Sequence, residues 1–272
     1  MMTRINEKFS ILNSRNEHAL IGYAVAGYPD YDTTFDIIKA MVNGGVDIIE
    51  LGIPFSDPIA DGPTIQKASY HALQKGMTPS NALNIAKKIS DELDVPLAIM
   101  TYCNILYKPG FENFMKNAKA NGIDGLIIPD LTVEESMELK KCAFKHDLDT
   151  IFLVSPNTTD SRLRAIVKAT SGFLYLVSVF GTTGERKGFE DYTAKAIKHV
   201  KAFSRGKVPL AVGFGVSKSE HVKFMLDAGA DAVIVGSAFI NTIDQYDGHE
   251  IMSKIEALSR SLKDATKKQN ND

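Results

Sequence analysis

Eight times in succession the chain runs a short, nearly continuous apolar stretch into a segment whose apolar residues recur at helical spacing. The strand-like stretches are 19–26, 47–52, 97–102, 125–128, 150–154, 173–179, 210–213 and 232–235. The helical segments that answer them are 33–43, 80–93, 112–121, 133–146, 161–169, 192–203, 218–228 and a last one within 250–268. Runs such as Ala232-Val233-Ile234-Val235, apolar at every position, require cover on both faces, as in a parallel sheet wrapped by helices. Three helix-to-strand turns resemble one another as repeats do: Asn43-Gly44-Gly45-Val46-Asp47, Asn121-Gly122-Ile123-Asp124 and Ala228-Gly229-Ala230-Asp231, each with glycine where a helix should stop. Eight such units in 272 residues predict an α/β chain folded as a single (β/α)₈ barrel domain over residues 1–272, with a doubly wound open sheet as the alternative. Ahead of the first unit, Phe9, Ile11 and Leu12 in the polar segment 6–14 predict an additional N-terminal amphipathic helix, placed to plug the bottom of the barrel.

Charge narrows the class of partner. Against 31 basic residues stand 33 acidic ones, a net −2, so no basic field draws the chain to nucleic acid or a membrane surface. Cys103 and Cys142 have neither metal-ligand spacing nor the density of a disulfide scaffold, and the six histidines are scattered, so no metal site is expected. No apolar run approaches the roughly 20 residues that span a bilayer. The opening residues from Met1 to Lys8 lack a secretory apolar core, and a cytoplasmic protein is expected.

In a barrel of this kind chemistry belongs to the loops after the strands. Strand alternation turns Ile49 and Leu51 one way and Ile48, Glu50 and Gly52 the other. With the apolar pair toward the helices, Glu50 faces the open end of the barrel. Burial there raises a carboxyl pKa and lets one group give and take a proton near neutrality. A salt-bridged carboxylate at a strand end is the alternative. Asp61, in Ile59-Ala60-Asp61-Gly62-Pro63, either hangs over the mouth or serves an ordinary turn, and Asp57 shares that ambiguity. The stretch from Ile53 to about Pro79 is too long for a simple strand-to-helix loop, and Gly181 to Gly188 reads as a mobile lid. Gly213 and Gly215 after the seventh strand, and Gly236 with Ser237 after the eighth, lie where many barrels hold phosphate on backbone N–H groups; tight turns alone would also explain them. Tyr175 either lines the site or packs. No lysine falls within the eight strands, which argues against Schiff-base aldolase chemistry.

Taken together, Glu50-Leu51-Gly52-Ile53-Pro54-Phe55-Ser56-Asp57-Pro58 and Ala60-Asp61-Gly62-Pro63-Thr64-Ile65-Gln66 resemble the signature of the tryptophan synthase alpha subunit. The family's order continues through Ala26-Gly27-Tyr28-Pro29-Asp30, Met100-Thr101-Tyr102 with Asn104, Pro129-Asp130-Leu131, Gly181 with Thr183-Gly184, Gly213-Phe214-Gly215-Val216 and Val235-Gly236-Ser237-Ala238. The resemblance implies a lyase of tryptophan biosynthesis that cleaves indole-3-glycerol phosphate to indole and glyceraldehyde 3-phosphate without a cofactor of its own. It implies Glu50 as the proton shuttle and Asp61 as the carboxylate that holds the indole N–H. Tyr23, Tyr102 and Tyr175 would line the site, Gly184, Gly213, Gly215, Gly236 and Ser237 would hold phosphate, and Thr183 would sit on the lid. The implied partner is a beta subunit carrying pyridoxal phosphate, in an alpha2beta2 heterotetramer, with Asp57 and the segment 102–107, Asn104 included, facing it. Ile105 and Thr182 depart from the residues common in the family, proline and valine.

Overall fold

The computed structural model describes residues 2–177, 186–204, 206–213 and 215–267. Its strands are β1 (Ala19–Val25), β2 (Ile48–Gly52), β3 (Leu97–Met100), β4 (Gly125–Ile127), β5 in two segments (Asp149–Ile151 and Leu153–Val154), β6 (Leu174–Val177), β7 (Leu210–Gly213) and β8 (Ala232–Val235). All pairings between them are parallel. β1 pairs with both β2 and β8, and the two segments of β5, split at Phe152, pair with β4 below and β6 above. The sheet therefore closes on itself, and the open-sheet alternative falls away.

Twelve helices surround it among the described residues: α1 (Arg4–Ser14), α2 (Tyr31–Asn43), α3 (Pro63–Gln74), α4 (Pro79–Glu92), α5 (Cys103–Tyr107), α6 (Phe111–Ala120), α7 (Met137–Lys145), α8 (Asp160–Ala169), α9 (Arg186–Ser204), α10 (Ser219–Asp227), α11 (Ser237–Gln245) and α12 (His249–Asp264). Three of these, α3, α5 and α11, occupy stretches where no helix is expected from the sequence. α3 fills the long segment after β2. It buries only Ala68, Ser69 and Ala72, side chains too small for a strong periodic signal, while Pro63 at its first position is the start mark that was there to be read. The helix expected from 133 begins at Met137, because Thr132 and Ser136 bond within a preceding turn, to Glu135 at 2.7 Å and to the Val133 carbonyl at 2.7 Å. Arg186 to Gly188, expected in the lid, open α9, and the rest of that lid lies outside the described residues.

Side chains sort by strand parity. Leu20, Ile49, Leu51, Leu97 and Ile99 pack outward under the helices, whereas Ile21, Ile48, Ala98, Ile127 and Ile234 fill the interior. α1 closes that interior from below with Ile5, Phe9 and Leu12; Phe9 meets the fully buried Phe173 at 6.2 Å between ring centroids. Ile11, expected on the apolar face, is instead 39% exposed, since α1 offers only its Ile5–Phe9–Leu12 stripe to the barrel.

The repeated turns end in clamps. Asp47, Asp124 and Asp231 each accept an N–H at the start of the strand before them in the chain, from the second residue of β1, Leu20, at 2.8 Å, and from the first residues of β3 and β7, Leu97 at 3.0 Å and Leu210 at 2.7 Å. Each aspartate also meets a cation, Lys263, Arg4 and Lys201 respectively. A strand-initial N–H that would otherwise be orphaned is thus satisfied, and the carboxylate that satisfies it is itself paired.

Candidate active site

Glu50 sits in the middle of β2, opposite Tyr23 on β1 and Ala98 on β3. Its side chain points inward above Ile48 and is completely buried. Neither carboxyl oxygen has a hydrogen-bond partner; among the described residues only the Thr101 hydroxyl is otherwise left in that condition. Burial, reinforced by the negative charge of Asp61, pushes the Glu50 pKa up to about 8. The group is therefore a neutral acid at pH 7, and the salt-bridge alternative is gone.

Asp61 hangs over the mouth from the loop after β2. Burial raises it to about 6, opposed by a hydrogen bond from the Tyr102 hydroxyl. That hydroxyl also accepts the Ala60 N–H at 3.1 Å, and the Tyr102 ring stacks on Phe55 with centroids 5.0 Å apart. Gln66 on α3 donates to the Asp61 carbonyl at 2.8 Å. Tyr102 therefore stands behind the loop and fixes it, rather than forming part of the cavity wall.

A cavity of about 420 Å³ opens at this end of the barrel. Asp61, Tyr23 and Tyr175 form part of its wall, and Glu50 lies just behind them. Glycines make room for both rings. A Cβ on Gly52 would lie 2.2 Å from the Tyr23 hydroxyl, and one on Gly213 would lie 2.7 Å from that of Tyr175. Gly213 thus seats a phenol ring, whereas Gly215, Gly236 and Ser237 reach the cavity wall directly. Gly215 has φ +72°, a backbone shape that suits glycine. α11 begins at Ser237, so its first N–H groups and positive dipole end face the cavity. Thr183, Gly184, Thr182 and Phe214 lie outside the described residues.

Besides the segment from Ala60 to Ile65 and Val216, the wall is an apolar bed of strand residues, Met100, Ile127, Leu153, Val177 and Ile234. Sequence reasoning passed over these five. Their signal was inward parity near the carboxyl end of each strand, which reads as ordinary core until the barrel is closed. On the outer rim Asp57 is exposed on the loop after β2 and Asn104 on α5, which follows β3, with Ile59 at 81% and Tyr107 at 61% exposure beside them in the chain. Among the described residues no cluster of three or more histidines, cysteines or carboxylates could hold a metal ion, and no helix is long and apolar enough to cross a membrane.

A closed barrel with two carboxyl groups of raised pKa at the carboxyl end of its strands, an apolar bed and a helix N-terminus facing them defines the (β/α)₈-barrel enzyme class. A family profile described as tryptophan synthase alpha chain matches residues 9–267. The chain is 48% identical over 260 residues to the tryptophan synthase alpha chain of Methanosarcina acetivorans, covering 96% of this chain and 93% of that one. It superposes on the tryptophan synthase alpha subunit of Legionella pneumophila with a TM-score of 0.89 at 32% identity, over 98% of this chain and 99% of that one. On a chain of the Pyrococcus furiosus tryptophan synthase complex the TM-score is 0.83 at 38% identity, over 91% and 98%. The chain belongs to the tryptophan synthase alpha chain family.

Proposed function

We propose that Glu50 and Asp61 divide the work of a retro-aldol cleavage in which indole-3-glycerol phosphate yields indole and glyceraldehyde 3-phosphate, the alpha step of tryptophan biosynthesis. The observation that carries this assignment is the Glu50 carboxyl, fully buried with both oxygens unpartnered beside the Asp61 carboxylate. The apolar bed of Met100, Ile127, Leu153, Val177 and Ile234 suits a flat indole ring, and the Ser237 end of α11 with Gly215 and Gly236 suits its phosphate. Glu50, neutral at pH 7, gives its proton to indole C3. Positive charge then develops at the ring nitrogen, where the Asp61 carboxylate stabilises it while accepting the N–H. The carbinol hydroxyl next to C3 returns a proton to Glu50, the carbon–carbon bond breaks, and its electrons restore the aromatic ring as the aldehyde forms. Glu50 ends as it began. Because its carboxyl lies behind the wall, its side chain or the flanking rings must shift when substrate binds.

This step uses no cofactor. The chain acts as one barrel domain in the cytoplasm, and as an alpha chain it works with a beta subunit that carries pyridoxal phosphate, with Asp57 and Asn104 on the face toward it. Thr183 and Gly184 complete the phosphate end on this reading. Glu50→Gln, which keeps the shape and removes the transferable proton, should lower indole release from indole-3-glycerol phosphate by at least about 10³-fold. Asp61→Asn should cost about 10²-fold or more, since a neutral amide no longer balances the ring charge. Near-normal turnover by either variant would overturn its assigned role, and cleavage of simple triose phosphates in place of the indole ester would overturn the reaction.

A further inference from the structure

The turn Gly27-Tyr28-Pro29-Asp30 touches nothing in the cavity, yet it is the meeting point of the two helices that frame it. α3 starts two residues after Asp61, and α11 starts at Ser237. Near the far end of α11, the Asp244 carboxylate accepts from the Tyr28 hydroxyl through one oxygen and from Lys67 of α3 through the other, at 2.7 Å. One turn further along α3, His71 lies edge-on to the Tyr28 ring, 5.4 Å between centroids, with its Nε2 3.2 Å from the Pro29 carbonyl. Lys75 donates to that same carbonyl at 3.0 Å. Burial alone would raise Asp244, but its bonds from Lys67 and Tyr28 hold it below the ordinary carboxylate range, as expected of a fixed anion between two donors.

We propose that Asp244 is a positioning residue that sets the distance between the reacting end and the phosphate end of the site, by locking the helix that follows the Asp61 loop to the helix that opens at Ser237. The inference rests on the reading of those two ends given above. A helix is stiff over two or three turns, so pinning α3 at Lys67 and His71 fixes the point from which the Asp61 loop hangs. The tie to Asp244 holds α3, and with it the Asp61 loop, at a fixed distance from α11, whose first turn still meets the phosphate when the tie is cut. A substrate held by phosphate at one end and reacting at the other depends on that spacing. Lys67 is 68% exposed at its side chain, so its ion pair adds little to global stability and its removal tests placement rather than folding.

Indole release by wild type, Lys67→Met, Lys67→Arg and Asp244→Asn should be compared, together with inhibition by glycerol 3-phosphate and thermal melting. The expected result is a fall in kcat of about tenfold for Lys67→Met and Asp244→Asn, with KM and the inhibition constant nearly unchanged, because the phosphate end still binds while the reacting end is misplaced. Lys67→Arg should restore most of the loss. The proposal is overturned if kcat stays within about twofold of wild type in Lys67→Met, or if inhibitor binding weakens as much as kcat falls. It is also overturned if Lys67→Arg is as impaired as Lys67→Met. Should Asp244→Asn fail to fold, the exposed Lys67 variants decide the matter. No indole from wild type would instead overturn the reaction itself, and this inference with it.

Discussion

Glu50 and Asp61 titrate on opposite sides of neutrality, and their order sets the pH response. Asp61 must be ionised and Glu50 protonated, so kcat/KM should rise with a limb near pH 6 and fall with a limb near pH 8, the two values belonging to the coupled pair. Glu50→Gln and Asp61→Asn should each alter that profile in the activity that remains. The same shift costs stability. The folded pKa of Glu50 lies above its ordinary 4.5, so the stability it permits is complete below about pH 4.5 and is lost as pH rises through about 8. Glu50→Gln should therefore melt a few degrees above wild type at pH 8.5, the gain vanishing near pH 4.5; scanning calorimetry at the two pH values checks it. Inward-facing Glu50 was legible in the sequence, since alternation along one strand determines it. The work of Tyr102 was not, because its hydroxyl acts on Ala60 and Asp61, some forty residues away in the chain.

The size of what a helix buries accounts for the missed α3 but not for α11, which buries Phe239, Ile240 and Ile243 and was still passed over. α2, with Phe35, Ile37, Ile38 and Met41 inward, is plain in the sequence; α3, with two alanines and a serine, is not. α1 was legible as an amphipathic plug, but one turn of its face was misassigned. Phe9 should cost about 3–5 kcal/mol when replaced by alanine, through a cavity under Phe173. Ile11→Ser should cost less than about 0.5 kcal/mol. Urea titrations of the two variants distinguish the faces, and indole release should survive both, since α1 closes the end of the barrel opposite the cavity.

At the scale of the molecule, the two ends of the barrel serve different purposes. The mouth carries the cavity, and beside it stand Asp57 and the exposed Ile59 on the loop after β2, with Asn104 and the exposed Tyr107 on α5. The proposed partner face includes Ile59, 81% exposed on its loop. Ile59→Glu should weaken association with the beta subunit by about tenfold or more in Kd, measured by titration calorimetry, while leaving the melting temperature of the isolated chain unchanged. The eight-unit plan was legible because each unit repeats a local pattern. The apolar bed of the site was not, for it is assembled from five strands and exists only once the barrel is closed.

The opposite end holds the aspartate clamps, and they bear on how the chain reaches its fold. Asp47, Asp124 and Asp231 close loops of 27, 27 and 21 residues onto the strands before them. Closing loops this short carries a modest entropic penalty, so each βαβ segment can assemble from its own neighbourhood. The joining of β1 to β8 is the long-range step, bringing together strands from opposite ends of the chain. Contacts of high sequence separation slow folding most. The β1–β8 seam should therefore be the slow step of folding, formed after the local segments have closed.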